Sequence, residues 1–553
     1  MKTSIVILTY NQLHHTLLCI DSIRKYTDKG TYEIITVDNH STDGTAEWLK
    51  NQEDIRTIFN SKNVGFPKGC NQGMDIAQGD NILLLNNDVI VTPNWLSNLE
   101  TCLYSSQDIG AVGVVTNSCS NFQTIPVHYK STEEMLTFAE KHNVSNKGQW
   151  EERLRLIGFC MLIKKEVVDK IGLLDERFSP GNFEDDDYSF RIRKAGYRLI
   201  LCKDTFIHHF GSASFSKSQN EFGGILNINR KKFLDKWGFD AWSSVNIHHE
   251  LINFIDAPLS KKINVLEIGC SSGATLLQIK NKYKNAHVFG IDTNSEVLEI
   301  TNTFADVRCM DIEKEKLPYE EEFFDYIIMA NILEHLLDPW NTLKSLRKYL
   351  KKDGEIFASI PNIMHFSTIK NLLNGSWNYD NHEAPTRFFS LDGIQKMFGN
   401  ANYSVRTING AITSLNEEDK NLIHSYNQIT GKDSTNQYQI QCFFIKARNT
   451  GISPEEKTEI KFLLRRIEND ISMKENTELL IEMIHEGLNL NTVMEQVHDH
   501  IIKKEKVLNQ IALYLCENNM FDYAEFFLSK AFKMDCQNVE TQKLLKMIEG
   551  GKP

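Results

Sequence analysis

The chain has no run of about 18 to 20 uninterrupted apolar residues, the length a membrane-spanning helix needs, so any membrane association is expected to be peripheral. It opens on the strand-like run Ser4-Ile5-Val6-Ile7-Leu8, with no basic segment, long apolar segment or small-residue cleavage site, and is expected in the cytoplasm. Its eleven cysteines, Cys19 through Cys536, are scattered and odd in number, without paired C-x-x-C spacing. That excludes a disulfide framework and a structural zinc site, and leaves reduced, mostly buried thiols. Positive charge is also short: 61 Lys and Arg stand against 73 Asp and Glu, a net charge of −12, which argues against a nucleic-acid partner. Small-molecule chemistry remains.

What is present is ordinary for a globular protein, 41% hydrophobic and 24% charged. A chain of 553 residues exceeds one core and should form about three or four domains. From Ser4 to about Asp240 short apolar runs alternate with helical patterns, the signature of a βαβ-built sheet covered on both faces. Ile5–Leu8 ends in Thr9-Tyr10-Asn11, Glu33–Val37 in Asp38-Asn39, and Ile82–Leu85 in Asn86-Asn87-Asp88. Ligands of open α/β sheets bind beyond the carboxyl ends of strands, where Asp88 could hold a hard cation on a phosphate-bearing ligand. The bland alternative is a polar turn before a helix, with Thr92 as cap and Pro93 at the first helical position. Spacing alone leaves the two equal. The acids Glu184-Asp185-Asp186-Asp187 precede a helical pattern; they either favour the positive end of that helix or supply a general base. His208-His209 end a strand, and Cys119–Gln149 reads as an irregular acceptor-side loop.

These pieces carry a resemblance. Ser4-Ile-Val-Ile-Leu-Thr-Tyr-Asn11, Val37-Asp-Asn-His-Ser-Thr-Asp-Gly-Thr45, Asn63-Val-Gly-Phe66 with Gly69, Asn71 and Gly73, and Leu85-Asn-Asn-Asp-Val89 resemble, in order, a family 2 glycosyltransferase of the GT-A fold. The resemblance implies a nucleotide-diphospho-sugar donor held through Thr9, Tyr10, Asn11, Asp38, Asn39, Asn63, Gly65, Asn86 and Asn87. Asp88 stands as the last acid of the family's D-x-D motif and would bind Mg²⁺ or Mn²⁺, with Asn86 in place of the first acid. The family's Glu-Asp-x-Asp followed by Arg maps onto Glu184, Asp185, Asp187 and Arg191. Asp185 is the expected base of an inverting transfer, Glu184 its neighbour and runner-up, with Asp187 and Arg191 on the donor side. His209 falls where the family often places a metal- or diphosphate-contacting His.

After Lys231–Phe254, which reads as a helical connector rich in Trp and His, a second α/β pattern begins at Ile263-Asn-Val-Leu-Glu267-Ile-Gly269-Cys-Ser271-Ser-Gly273. A strand entering a Gly/Ser turn before a helix suits close approach of a ligand to the backbone. Gly269-x-Ser271-x-Gly273 also fits the nucleophile elbow of a serine esterase. Asp292, nineteen residues after Gly273 at the end of His287–Ile291, suits a ribose hydroxyl pair. With Cys309-Met-Asp311, Phe324–Asn331, Leu333-Glu334-His335 and Gly354–Asn362, the succession resembles a class I S-adenosylmethionine-dependent methyltransferase with a Rossmann-like domain. That resemblance places Glu267, Gly269, Ser271 and Gly273 around the methionine, Asp292 at the ribose, Asp311 by the adenine and Asn331 in the same pocket. His335, His382 and Arg387 are expected on the methyl-acceptor side. The family's commonest loop has Gly where Ser271 stands.

From Gly451 the chain turns helical, with Ile460, Leu463, Leu464 and Ile467 at amphipathic spacing. Ala512, Ala524 and Ala531 resemble one tetratricopeptide unit, a helical tail suited to partner docking or dimerisation, or to a plain stabilising cap. The expected domains are 1–240, 241–448 and 449–553. The expected protein is a bifunctional transferase: a nucleotide-diphospho-sugar donor, a glycan acceptor that is lipid-linked or protein-linked, and methylation of a sugar hydroxyl in surface polysaccharide or glycoprotein glycan synthesis. Two alternatives stand beside it: a peptide or protein acceptor, and a methyltransferase half that only binds partners.

Overall fold

The run Ile82-Leu83-Leu84-Leu85 is fully buried in a strand paired on both sides, where a covered sheet reads as continuous apolar residues rather than as alternation. The computed structural model describes residues 1–120, 122–211, 219–376, 385–449, 454–485, 488 and 490–551. They form two compact units, Met1–Glu315 and Lys316–Pro553.

The first unit contains β1 (Thr3–Thr9), β2 (Tyr32–Asp38), β3 (Ile55–Phe59), β4 (Asn81–Asn86), β5 (Val89–Ile90), β6 (Ile109–Val115), β7 (Trp150–Arg153), β8 (Cys160–Lys164), β9 (Arg198–Phe206) and β10 (His208–His209). Eight of them make a sheet of order β3-β2-β1-β4-β8-β6-β9-β7 among the described residues. β1 to β4 run parallel; β8 is antiparallel to both β4 and β6. β5 and β10 form a separate antiparallel ribbon pairing His209 with Val89. The helix after β5 starts at Trp95 behind a left-handed Asn94, two residues later than Thr92-Pro93 implied. Thr92 is drawn elsewhere: its hydroxyl donates to the Phe206 carbonyl and accepts from Asn143 Nδ2 at 2.9 Å.

The connector also differs from expectation. Its main helix is Gln219–Trp237, and Lys231–Phe254 holds only the end of it plus two short turns, Ser243–Val245 and His249–Ile252. β11 (Ile263–Ile268), β12 (Ala286–Asp292) and β13 (Asp306–Cys309) then run parallel in the order β13-β12-β11. One hydrophobic cluster explains why these strands share a unit with the first sheet. It joins Leu154, Phe178, Phe183 and Phe190 to Phe233, Phe239 and Val245 of the connector and to Ala274, Leu277, Val297 and Ile300 of the helices after β11 and β12. Polar ties flank it: Asn281 Nδ2 donates to Glu152 O at 2.9 Å, Arg193 to Thr303 Oγ1 at 3.2 Å, and Lys194 pairs with Glu299 at 2.5 Å.

In the second unit β14 (Phe324–Ala330) runs parallel to β15 (Leu350–Pro361). β17 (Ile440–Asn449), the closing strand expected near Tyr438–Lys446, lies antiparallel between β15 and β16 (Tyr403–Ile412), a strand not read from the sequence. The tail is entirely helical from Pro454 to Gly551 among the described residues, with its own core. Ile460, Leu464 and Ile467 are fully buried there, as are Ala512, Ala524 and Ala531. No helix of the described residues is long and apolar enough to cross a membrane. All eleven cysteines are free, seven of them buried.

Candidate functional site

The parallel register sets Thr9 beside Asp38 at the ends of β1 and β2, and the Thr9 hydroxyl donates to Asp38 Oδ1 at 3.0 Å. Asp38 Oδ2 accepts from the Ser41 amide at 3.0 Å. Asn11, left-handed at φ 57°, donates its amide to Ser41 Oγ at 2.7 Å and accepts from the Thr42 amide at 2.8 Å. Tyr10 stands 42% exposed above this edge. Asn39 Nδ2 reaches Gly65 O at 3.2 Å and Asn63 Oδ1 at 3.3 Å, and Asn63 Oδ1 also accepts from the Gly65 amide. At Gly65, φ 88°, an added Cβ would lie 2.9 Å from Ser179 Oγ and 3.1 Å from Pro180 Cα. Asn60, which the sequence did not single out, completes the cluster by donating to Asn39 Oδ1 at 2.9 Å.

At the end of β4, the Asn86 amide donates to Phe159 O and Asn87 Nδ2 to Thr16 Oγ1, so the Asn87 side chain braces the scaffold. Asp88 is buried at the start of the ribbon, and β10 brings His209 Nε2 to 3.3 Å from Asp88 Oδ1. His209 Nδ1 lies 2.7 Å from Ser118 O, a carbonyl that can only accept, so Nδ1 carries its proton and Nε2 faces Asp88. Burial alone would raise the Asp88 carboxyl, but the hydrogen bond and charge of His209 hold it below the usual range. Burial would lower His209, and Asp88 reverses that upward. His208 points elsewhere, with Nδ1 at 2.5 Å from Tyr129 OH, and burial lowers it to about 4.

The four acids open the helix Glu184–Lys194, whose last turn carries Arg191, Arg193 and Lys194, a distribution that suits its dipole. They separate in role. Asp185, half-buried, accepts from the Gly158 amide at 3.0 Å and the Asp186 amide at 2.9 Å. Burial, then the charge of Asp186, pushes it up to about 6. Glu184 is buried with Oε2 unpartnered, and burial beside Asp185 raises it well above the usual range. Asp186 pairs with Arg155. Asp187 and Arg191, expected on the donor side, are both held by protein groups. Fully buried Asp187 takes Arg191 Nε at 2.9 Å, Lys236 Nζ at 2.5 Å and Trp237 Nε1 at 2.9 Å, and Arg191 also donates to Ile171 O and Leu173 O. Asn182 Nδ2, just before the helix, is buried without a partner. Nothing in the sequence marked that asparagine.

In the loop after β11, Gly269, Ser271 and Gly273 all have positive φ, at 72°, 47° and 77°. A left-handed Ser271 accounts for the glycine more usual there in the resembled family. The Ser271 amide donates to Asp292 Oδ2 and the Asn294 amide to Asp292 Oδ1, each at 2.9 Å, so Asp292 is fixed from both sides. A Cβ on Gly273 would meet Thr301 Cγ2 at 2.6 Å and Phe304 Cζ at 2.7 Å. Glu267 is buried with Oε2 unpartnered, and burial pushes it up to about 8. Asp311, two residues past β13, accepts from the Glu313 amide and pairs with Lys314, which holds its carboxyl low.

In the second unit Asn331, φ 54°, is fixed by Ser359, whose hydroxyl donates to its Oδ1 at 2.8 Å. His335 is exposed in the turn that follows. Arg387 donates to Leu337 O at 3.0 Å and lies 5.1 Å from the Trp340 ring centroid. His382 lies outside the described residues. Glu334, not singled out from the sequence, is buried with Oε2 unpartnered and is raised to about 7 by burial.

Residues 4–172 match the family model described as glycosyl transferase family 2, and residues 239–408 match that described as methyltransferase domain. The chain therefore carries one domain of each kind, and the serine-esterase reading of Gly269–Gly273 falls away. A low-salt glycan biosynthesis hexosyltransferase of Haloferax volcanii is 25% identical over 213 residues, 37% of this chain and 67% of that protein. A malonyl-[acyl-carrier protein] O-methyltransferase of Bacillus anthracis is 28% identical over 130 residues, 22% of this chain and 47% of that protein. The chain covers from 18% to 79% of the length of such relatives. A solved mannosyltransferase of Pyrobaculum calidifontis, in complex with GDP-mannose and Mn²⁺, aligns at a TM-score of 0.32 and 14% identity, over 55% of this chain and 72% of that one.

Proposed function

We propose that the chain transfers a sugar from a nucleotide-diphospho-sugar to a glycan with inversion, and methylates a sugar hydroxyl using S-adenosylmethionine. One observation supports the first activity most: Gly158 donates its amide to Asp185, and the next residue, Phe159, stacks on His209 with ring centroids 5.0 Å apart. Two adjacent residues thus link the base to the Asp88–His209 pair.

That pair fits a divalent cation. It offers a carboxylate and an imidazole nitrogen 3.3 Å apart, close to the spacing of about 3 Å that neighbouring ligands of one ion have. Among the described residues no group of three or more His, Cys, Asp or Glu gathers, so the diphosphate and water would complete the coordination. A bound cation there would neutralise charge on the leaving diphosphate. Asp38, with Thr9 and Asn11, binds the nucleoside; Asp185 takes the proton from the acceptor hydroxyl as it attacks, and its raised pKa suits that exchange near neutrality.

At the second site the orphaned, buried Oε2 of Glu267 and the left-handed turn through Gly269, Ser271 and Gly273 fit the methionine end of the cofactor, with Asp292 at the ribose and Asp311 by the adenine. Bound S-adenosylmethionine supplies an activated methyl group. The protein's part is mainly to position the acceptor in line with it. Three domains with limits near 240 and 448, a cytoplasmic location, and a tail that docks a partner or a second copy complete the proposal. Mass spectrometry of glycans from cells with and without the gene tests both activities: loss of one methylated sugar is expected, and unchanged glycans overturn the proposal.

A further inference from the structure

The loop entering the base's helix is held from the connector. Asn229, 1% exposed on the helix Gln219–Trp237, aims its Nδ2 at three backbone carbonyls of that loop: Phe178 at 2.6 Å, Gly181 at 2.9 Å and Asn182 at 3.3 Å. An amide NH₂ has two protons, so the three carbonyls share them. Its Oδ1 accepts from Lys232 Nζ at 2.9 Å, and the same ammonium donates to Arg177 O at 2.6 Å. On the other side, Pro180 O accepts from the Phe66 amide at 2.8 Å.

The backbone gives this clamp something to hold. Gly181, Asn182 and Phe183 have φ values of 155°, 75° and 73° in succession, and the last two are side-chain-bearing residues in the left-handed region they rarely adopt. Glu184 and Asp185 follow at once. Where that turn ends decides whether the Asp185 carboxylate meets the Gly158 amide, and Asn229 is the side chain that fixes the turn from the connector.

We propose that Asn229 is a positioning residue for glycosyl transfer, setting the loop Phe178–Phe183 and through it the place of the Asp185 carboxylate against Gly158. This rests on the reading of Asp185 as the base. Asn229 lies 57 residues beyond the end of the glycosyltransferase match at 172, so the connector supplies a working part of the first site (229 − 172).

The test uses the full chain with Asn229→Ala and the near-isosteric Asn229→Asp, which keeps the shape and removes the donor. Turnover is read as nucleoside diphosphate released from UDP-, GDP- and dTDP-sugars with Mn²⁺, per folded molecule as judged by thermal melting. Both variants are expected to lose turnover on the order of 10- to 100-fold with donor KM unchanged. The acid limb of the pH profile should move toward the ordinary carboxylate range as water reaches Asp185. The charged and titratable groups facing it, Asp186 and Glu184 on its own helix and Arg155 and Cys119 from facing loops, are untouched by these changes. Wild-type turnover, or a loss that only follows the folded fraction with an unmoved pH profile, overturns the assignment. Asp185→Asn is run beside them: if it stays active, the base reading falls and this role with it. If it is dead while the Asn229 variants are normal, only the Asn229 role falls.

Discussion

The two sites are assembled in opposite ways. The methyltransferase loop gathers Glu267, Gly269, Ser271, Gly273 and Asp292 within 26 residues, by backbone contacts between one turn and the end of the next strand. The proposed glycosyltransferase site draws its residues from Thr9 to His209, joining Asp88 to distant His209 through a two-residue ribbon and bringing Gly158 to Asp185 at a helix start. A contiguous site is shaped by local φ values and shows in the sequence as glycines at fixed spacing. A dispersed one depends on register, and its residues look alike until the strands pair.

That contrast can be broken or sharpened by experiment. The largest effect is expected from Asp185→Asn, which should lower nucleotide-sugar turnover by about 10²- to 10⁴-fold with donor binding kept; near-normal turnover would remove the base from the dispersed site. Next is the cation pair. His209→Gln should weaken Mn²⁺ binding, read by calorimetry, by roughly 10- to 100-fold, and Asp88→Ala by more; equal affinity in all three proteins would mean that the pair is only a structural contact. At the contiguous site, Asp292→Ala should weaken S-adenosylmethionine binding by about 10- to 100-fold, the cost of one charge-assisted hydrogen bond.

Smaller still is Gly273→Ala, where the left-handed backbone and the Thr301 and Phe304 contacts should cost about 1 to 3 kcal/mol, seen as a lower melting temperature. The smallest signal concerns pH. Folded Glu267 keeps its proton up to about 8, whereas the unfolded chain releases it near 4.3. Its contribution to stability is therefore full in acid and lost as pH rises through that window, and Glu267→Gln should flatten this part of the stability profile. A profile identical to wild type would show that folded Glu267 does not hold its proton through that window.

Much of this was legible in the sequence. Ile82–Leu85 is a strand because a strand covered on both faces needs an unbroken apolar run, and it ends where polar residues begin; Ile263–Ile268 sets its apolar residues around Asn264 and buried Glu267 and runs into a glycine turn. The acid run at 184–187 was visible as a cluster, but not the division of labour within it. Lys236 and Trp237, which draw Asp187 inward, lie some fifty residues away, and no local pattern announces an ion pair across that distance. Glu334 was hidden differently: one carboxylate beside Leu333 reads as a surface residue, and only the fold shows its oxygen without a partner. The strand Tyr403–Ile412 was missed because half-exposed residues blur its alternation.

The cluster running from Leu154 through Phe233 to Ile300 bears on how the chain can be cut. Severing it near residue 240 would keep Phe178, Phe183 and Phe190 against Phe233 but strip the cluster of Val245, Ala274, Leu277, Val297 and Ile300, leaving apolar surface on both fragments. Each exposed patch is an invitation to aggregate. Expression of the isolated glycosyltransferase should thus yield insoluble protein unless the first three methyltransferase strands and their helices travel with it. A gene fusion of this kind is more than a tether: a lesion in the cofactor-binding half would lower the melting point of the sugar-transferring half as well.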